Sequence, residues 1–109
     1  MFRVIAGLIV SVGMASTAAA QDAKVANGEK LYVDQKCAVC HSIGAKGNKK
    51  GPLDSIASKL KAEEIRKWIV DAKGMTTKTK AARKPVMRAY KLPKEDVDAL
   101  VAYMMTLKK

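Results

Sequence analysis

Cysteine, histidine, proline and aromatic residues are all scarce in this chain of 109 residues, which has two Cys, one His, three Pro, one Trp, three Tyr and one Phe. The Cys and His residues together are too few for the four ligands of a structural zinc site. The small number of aromatic rings argues against a surface that stacks nucleic-acid bases. With few Pro and Gly residues and a hydrophobic fraction of 49%, the chain is not a disordered or fibrous protein.

Acidic residues are also few, with 10 Asp and Glu against 21 Lys and Arg, which gives a formal net charge of +11. The length allows one small domain and excludes repeat or multi-domain architectures. Domains of this size often need a disulfide, a metal or a bound group to complete the core. Because large aromatic side chains are so few, we expect something bulky and apolar to fill the centre of the fold.

Long apolar runs are missing except near the N-terminus. There a positive charge at Arg3 is followed by apolar residues 4–15 and by the small residues 18–20. This pattern predicts a cleaved signal peptide over residues 1–20 and export of residues 21–109 to a bacterial periplasm. An uncleaved membrane anchor is the alternative, but the run is shorter than the roughly 20 apolar residues of a transmembrane helix.

Both cysteines and the only histidine lie within one short segment, as Cys37, Cys40 and His41. A Cys-x-x-Cys-His segment is typical of covalent haem attachment. Two thiols at this spacing on a helical turn can each add to one vinyl group of a haem, and His41 is then held against the iron as its proximal ligand. The motif therefore predicts one covalently bound haem c.

A Cys-x-x-Cys segment also has uses other than haem attachment. A Cys-x-x-Cys pair in an exported protein can form a disulfide or a thioredoxin-like redox centre. No βαβ pattern surrounds residues 37–40, however. Free core thiols are unusual in an oxidising compartment, so haem attachment is the best supported interpretation.

The order of motifs resembles that of class I c-type cytochromes over residues 21–109. The attachment motif is followed by a Gly-Pro-Leu segment, a Trp-containing helix, a Met and an amphipathic C-terminal helix. The resemblance implies an all-α fold whose N- and C-terminal helices cross, with the haem in the core. Together with the signal-peptide pattern, it divides the chain into a signal peptide, residues 1–20, and a cytochrome c domain, residues 21–109. The reverse order, with the attachment motif near the C-terminus, is typical of the four-helix cytochrome c′ type.

Hydrophobic periodicity independently predicts helices over residues 25–37, over residues 62–72 and from Pro93 onward. Residues 42–55 are rich in Gly and are predicted to form a loop, and no strand is needed. In the family that the chain resembles, the first and last helices cross closely, with a Gly against an aromatic residue. Gly28 and Tyr103 are the matching pair, and a glycine in mid-helix usually has such a packing reason.

The resemblance implies that Met87, which lies six residues before Pro93, is the sixth ligand of the haem iron. Met75 and an open or water-filled sixth site are the alternatives. Arg88 stands where many relatives have Pro, so the loop that carries Met87 is predicted to be more mobile than in those relatives.

Two further residues are assigned to the haem by resemblance. A metal-bound histidine normally donates its free ring N–H to an acceptor, and the Pro52 carbonyl is the expected acceptor for His41. The Gly-Pro-Leu segment also fits an ordinary turn. Trp68 is expected to place its N–H near a haem propionate, although a Trp on an apolar helical face is explained equally by core packing.

Positive charge is concentrated in residues 73–94, which contain eight basic side chains and no acid: Lys73, Lys78, Lys80, Arg83, Lys84, Arg88, Lys91 and Lys94. Such a run is usually a solvated surface. Because this one includes the Met87 loop, we expect it to surround the exposed haem edge and to dock acidic redox-partner proteins. Export argues against nucleic acid as a partner, and anionic lipid is expected to make at most a weak contact.

The sequence thus predicts a monomeric, periplasmic electron carrier with a single haem, which is not an enzyme. The alternative is a haem c subunit that is stably docked in a larger oxidoreductase complex. A catalytic haem with an open sixth site is a third possibility. No acid–base pair or nucleophile accompanies the haem motif, so substrate chemistry by protein groups has no support.

Overall fold

The structure, a computed structural model, describes Gly7 and residues 15–109. This part of the chain is mostly helical, which confirms the predicted all-α fold. Its helices are α1 (Ala15–Asp34), α2 (Ile56–Lys59), α3 (Ala62–Val70), α4 (Ala72–Thr79) and α5 (Lys94–Met104). Between α1 and α2 lie a 3-10 turn (Cys37–Val39) and two short strands, β1 (Ser42–Ile43) and β2 (Lys46–Gly47).

Most of the predicted signal peptide, residues 1–6 and 8–14, lies outside the described residues. Helix α1 begins at Ala15 and so runs across the predicted cleavage site between Ala20 and Gln21. In the part of the chain that the structure describes, no helix is long and apolar enough to cross a membrane.

Helices α1 and α5 pack directly against each other, and Gly28 lies at their closest approach. A Cβ atom at Gly28 would collide with the carbonyl oxygen of Ala99 and would lie 2.7 Å from the Cβ of Tyr103. Only glycine lets the two backbones come this close. The predicted contact between Gly28 and Tyr103 is therefore confirmed.

Helix α3 contributes the second layer of the core. Its apolar side is formed by Ile65 and Ile69, which are buried together with Leu100 of α5, as the 3.6-residue periodicity of α3 predicts. An ion pair between Arg66 and Asp98, with 2.6 Å between Nη1 and Oδ1, joins α3 and α5 at the surface. The crossing of α1 and α5 and the packing of α3 against α5 leave one side of the core open, where the site lies.

The predicted loop over residues 42–55 contains an antiparallel hairpin, so the prediction that no strand is needed was wrong. Ser42 pairs with Gly47, and Ile43 pairs with Lys46. The turn between the strands starts at Gly44, whose φ of 59° falls in the left-handed region that glycine adopts at no steric cost. The hairpin holds the chain that follows His41 close to the residues around Gly51.

Candidate functional site

The cavity at the open side of the core has a volume of about 870 Å³ and a largely apolar lining. This volume lies in the upper part of the roughly 300–1,000 Å³ that is usual for small-molecule and cofactor sites. Its walls come from the end of α1, the 3-10 turn, helices α2, α3, α4 and α5 and the loop over residues 80–92. The expectation of a bulky apolar group in the core is consistent with a cavity of this size.

Two free thiols, Cys37 and Cys40, lie on one wall of this cavity. Helix α1 ends just before them because Lys36 takes a left-handed conformation with φ of 58°. The 3-10 turn that follows is closed by bonds from the backbone N–H groups of Cys40 and His41 to the carbonyl of Cys37, at 3.2 and 2.9 Å. Burial raises the pKa of the Cys37 thiol. Because both cysteines are free and line the cavity, both sulfur atoms can bond a group held there.

His41 also lines the cavity, and its ring is oriented by the backbone. Its Nδ1 lies 3.1 Å from the carbonyl oxygen of Gly51 and donates to it. Burial lowers the pKa of the imidazole, the hydrogen bond to the Gly51 carbonyl opposes part of that shift, and the nearby positive charge of Arg83 lowers the pKa further. The ring is therefore neutral at pH 7, and its other nitrogen, Nε2, keeps the lone pair that a metal ion needs.

The acceptor for His41 is Gly51, and the prediction that it would be Pro52 is corrected. The backbone N–H of Ser42 also donates to the Gly51 carbonyl, at 3.0 Å, and the N–H of Leu53 donates back to Ser42, at 2.8 Å. Successive carbonyls of an extended chain point to opposite sides. The pairing of Ser42 with the chain around Pro52 therefore points the Gly51 carbonyl toward His41. Pro52 itself is not part of the cavity lining.

Of the candidate methionine ligands, Met87 lies in the cavity lining and Met75 does not. Met75 is instead buried in α4, where it is 6% exposed. Met104 of α5 lines the cavity as well, as a buried apolar side chain. Trp68 also lies in the lining, at a half-buried position on α3. The structure thus brings Met87 and Trp68 to the same cavity as the paired thiols and His41.

Arg88, the residue next to Met87, makes a side-chain contact. Its guanidinium lies over the ring of Tyr90, 5.2 Å from the centroid. Tyr90 in turn is tied to α3, because its backbone N–H donates to the Ile69 carbonyl at 2.8 Å. The contact gives the residue next to Met87 a side-chain partner, and the greater mobility of this loop stays a prediction.

Tyr32 and Arg83 are residues of the cavity that sequence reasoning missed. Tyr32 lines the cavity and is only 6% exposed. Its buried hydroxyl has no hydrogen-bond partner among the described residues. Burial raises its pKa to about 12. Its place within the predicted first helix, five residues before Cys37, was a usable signal. Arg83 is the other, and nothing in the local pattern distinguishes it from its basic neighbours.

The basic residues over positions 73–94 are all exposed. Two of them, Arg83 and Arg88, also line the cavity, and Lys36 and Lys59 add two more cations to its lining. Among the described residues of the lining there is no Asp or Glu. The cavity is therefore apolar inside and positively charged at its rim.

An all-α domain with paired thiols, a neutral histidine and an apolar cavity is the arrangement of a protein that binds haem covalently. The family model for Cytochrome c matches residues 25–108, and the chain belongs to that family as a class I c-type cytochrome. Searches of the curated proteins and of the solved structures found no match.

The residues present fit the group that this family binds, which is covalently attached haem c. The cavity offers free thiols for two thioether bonds, an imidazole with its Nδ1 proton already engaged, and an apolar lining for a flat macrocycle. Family membership supports a haem-binding, electron-transfer role, which is the general role of cytochromes c.

Proposed function

We propose that this chain is exported to the periplasm and carries single electrons between redox proteins, with one haem c held between His41 and Met87. The observation that supports it most is that one cavity is lined by Cys37, Cys40, His41 and Met87. Covalent attachment is proposed at the two cysteines.

Each protein group has one task in this proposal. The thiols of Cys37 and Cys40 form the two thioether bonds, and the Gly51 carbonyl keeps the His41 ring in the tautomer whose Nε2 can bind iron. Met87 offers a thioether, a soft ligand that favours the ferrous state. The bound haem supplies a one-electron Fe(III)/Fe(II) couple. The apolar lining keeps water away from that couple.

The proposal of a carrier, as opposed to an enzyme, follows from what the cavity offers for chemistry. His41 is engaged by Gly51 and is assigned to the iron, and no Asp or Glu lies among the described lining residues. A substrate in this cavity would find no positioned general base. Electron transfer needs only a partner that approaches the rim.

Acidic redox proteins are the proposed partners, and they dock at the basic residues over positions 73–94. All eight of these side chains are exposed, and the same segment contains the Met87 loop. Clustered positive charge speeds encounter with an acidic partner and orients it. The chain is proposed to be a monomer that makes at most a weak contact with anionic membranes.

Salt dependence and charge reversal test the docking surface. The rate of electron transfer to an acidic redox partner should fall steeply as ionic strength rises, because the Debye length of about 10 Å at 0.1 M salt is comparable to the spacing of charges on a docking patch. Lys84→Glu with Lys91→Glu should lower the association rate at least tenfold at low salt. Both residues are exposed and neither lines the cavity.

Lys24→Glu with Lys30→Glu is the matched control, because it makes the same change of charge on exposed residues of α1. The carrier proposal fails if both double variants lower the association rate by the same factor. It also fails if the rate of electron transfer does not depend on salt. A haem c subunit that is permanently docked in a larger complex then becomes the better proposal. The mass of the protein isolated from the periplasm tests export, since it should equal residues 21–109 plus one haem.

A further inference from the structure

Arg83 belongs to the loop that carries Met87, but its guanidinium reaches the segment that holds His41. A Cβ atom at Gly51 would collide with Nη1 of Arg83 and with the carbonyl of Cys40, and it would lie 2.9 Å from Nδ1 of His41. Both nitrogen atoms lie near the one point that this Cβ would occupy, so the guanidinium and the imidazole are close neighbours beside the same glycine. Because Gly51 has no side chain, a cation from a distant part of the chain fits next to the ring.

Because the two side chains are close neighbours at Gly51, the charge of Arg83 acts on the His41 ring. Its positive charge disfavours any additional positive charge on the imidazole. No carboxylate lies among the described residues of the cavity lining to offset it. A guanidinium stays protonated at every accessible pH, so this charge is fixed.

We propose that Arg83 is a positioning residue that raises the reduction potential of the haem through its charge next to His41. When the haem iron takes up one electron from a donor protein, the charge of the iron centre falls by one. A fixed positive charge beside the iron's histidine ligand favours the form with the lower positive charge, which is the ferrous form. The inference rests on the proposed function only in taking His41 as a ligand, and it does not require Met87.

A spectroelectrochemical titration of the haem-loaded protein measures this effect. At a fixed applied potential, Arg83→Gln should lower the ratio of ferrous to ferric haem about three- to tenfold, the size expected for a charge near a partly hydrated site. Arg83→Lys keeps the charge and should restore most of the ratio. Higher salt should reduce the difference between wild type and Arg83→Gln.

Lys78→Gln is the matched control, because it removes one charge from an exposed residue of α4 that does not line the cavity. It should change the ratio less than about twofold. The proposal is overturned if Arg83→Gln leaves the ratio unchanged, if Lys78→Gln changes it equally, or if Arg83→Lys behaves like Arg83→Gln.

The absorption spectrum of each variant separates this proposal from the proposed function. A variant with the wild-type spectrum and a shifted ratio supports the charge effect, since its ligands are unchanged. If Arg83→Gln shifts the ratio only by changing the ligands, its spectrum differs from wild type and the charge effect is refuted. A wild-type protein without covalent haem would instead refute the function proposed above.

Discussion

Gly28→Ala tests the helix crossing that supports the cavity. In a free helix the change would stabilise the protein by about 1 kcal/mol, because alanine has the higher helix propensity. Here the new methyl group would meet the backbone of Ala99 and would lie 2.7 Å from the Cβ of Tyr103, and neither atom can rotate away. Overpacking typically costs about 1–3 kcal/mol, and rigid backbone neighbours place this site at the upper end.

The net effect of Gly28→Ala is therefore a loss of about 2 kcal/mol in the free energy of unfolding, the overpacking cost less the propensity gain. For a domain of this size, that loss lowers Tm by roughly 8–16 °C. Urea unfolding followed by circular dichroism measures it, and the denaturant slope should stay unchanged. Asn27→Ala is the control, since this neighbouring residue is exposed. A Gly28→Ala variant as stable as wild type, or stabilised like the control, would refute the close approach of α1 and α5.

Two other changes follow from the contacts of the cavity. Tyr32→Phe removes a buried hydroxyl that has no partner among the described residues, so it should leave stability at pH 7 unchanged or raise it by up to about 1 kcal/mol. Because the pKa of Tyr32 is about 12 in the folded state and 10 in the unfolded state, unfolding releases a proton between those values. Wild type should therefore lose stability relative to Tyr32→Phe as the pH rises above 10. If the difference between the urea midpoints of the two proteins is the same at pH 8 and at pH 11, the raised pKa of Tyr32 is contradicted. Arg88→Ala removes the contact with Tyr90, worth about 0.5–1 kcal/mol, and should let added imidazole displace Met87 about two- to fivefold more readily in a spectral titration. Lys91→Ala, which removes an exposed charge in the same loop, should have no such effect.

Local sequence patterns predicted the parts of the fold that depend on periodicity and spacing. Helices α3 and α5 follow apolar residues at helical intervals, and each lies close to its predicted bounds. A mid-helix glycine indicated a close packing contact, which the structure shows between Gly28 and Tyr103. The spacing of Cys37, Cys40 and His41 predicted that all three would face one bound group, and all three line the cavity.

Contacts between distant segments could not be predicted in the same way. Whether Gly51 or Pro52 accepts from His41 depends on how the chain pairs with Ser42, and no local pattern sets that register. Arg83 differs from its basic neighbours only because the fold brings it to Gly51. The short helix α4 has a weak apolar pattern, and its start is set by the Asp71 side chain, which accepts from the N–H of Gly74 at 3.2 Å.

The identity of the second iron ligand is the central claim, and the far-red absorption of the oxidised protein tests it most directly. His/Met ligation gives a weak Fe–S charge-transfer band there, which the wild-type protein should show. Met87→Ala should abolish the band, because Met87 lines the cavity, whereas Met75→Ala should keep it, because Met75 is buried in α4 outside the lining. A band that survives Met87→Ala and disappears in Met75→Ala would contradict the account and assign the ligand to Met75.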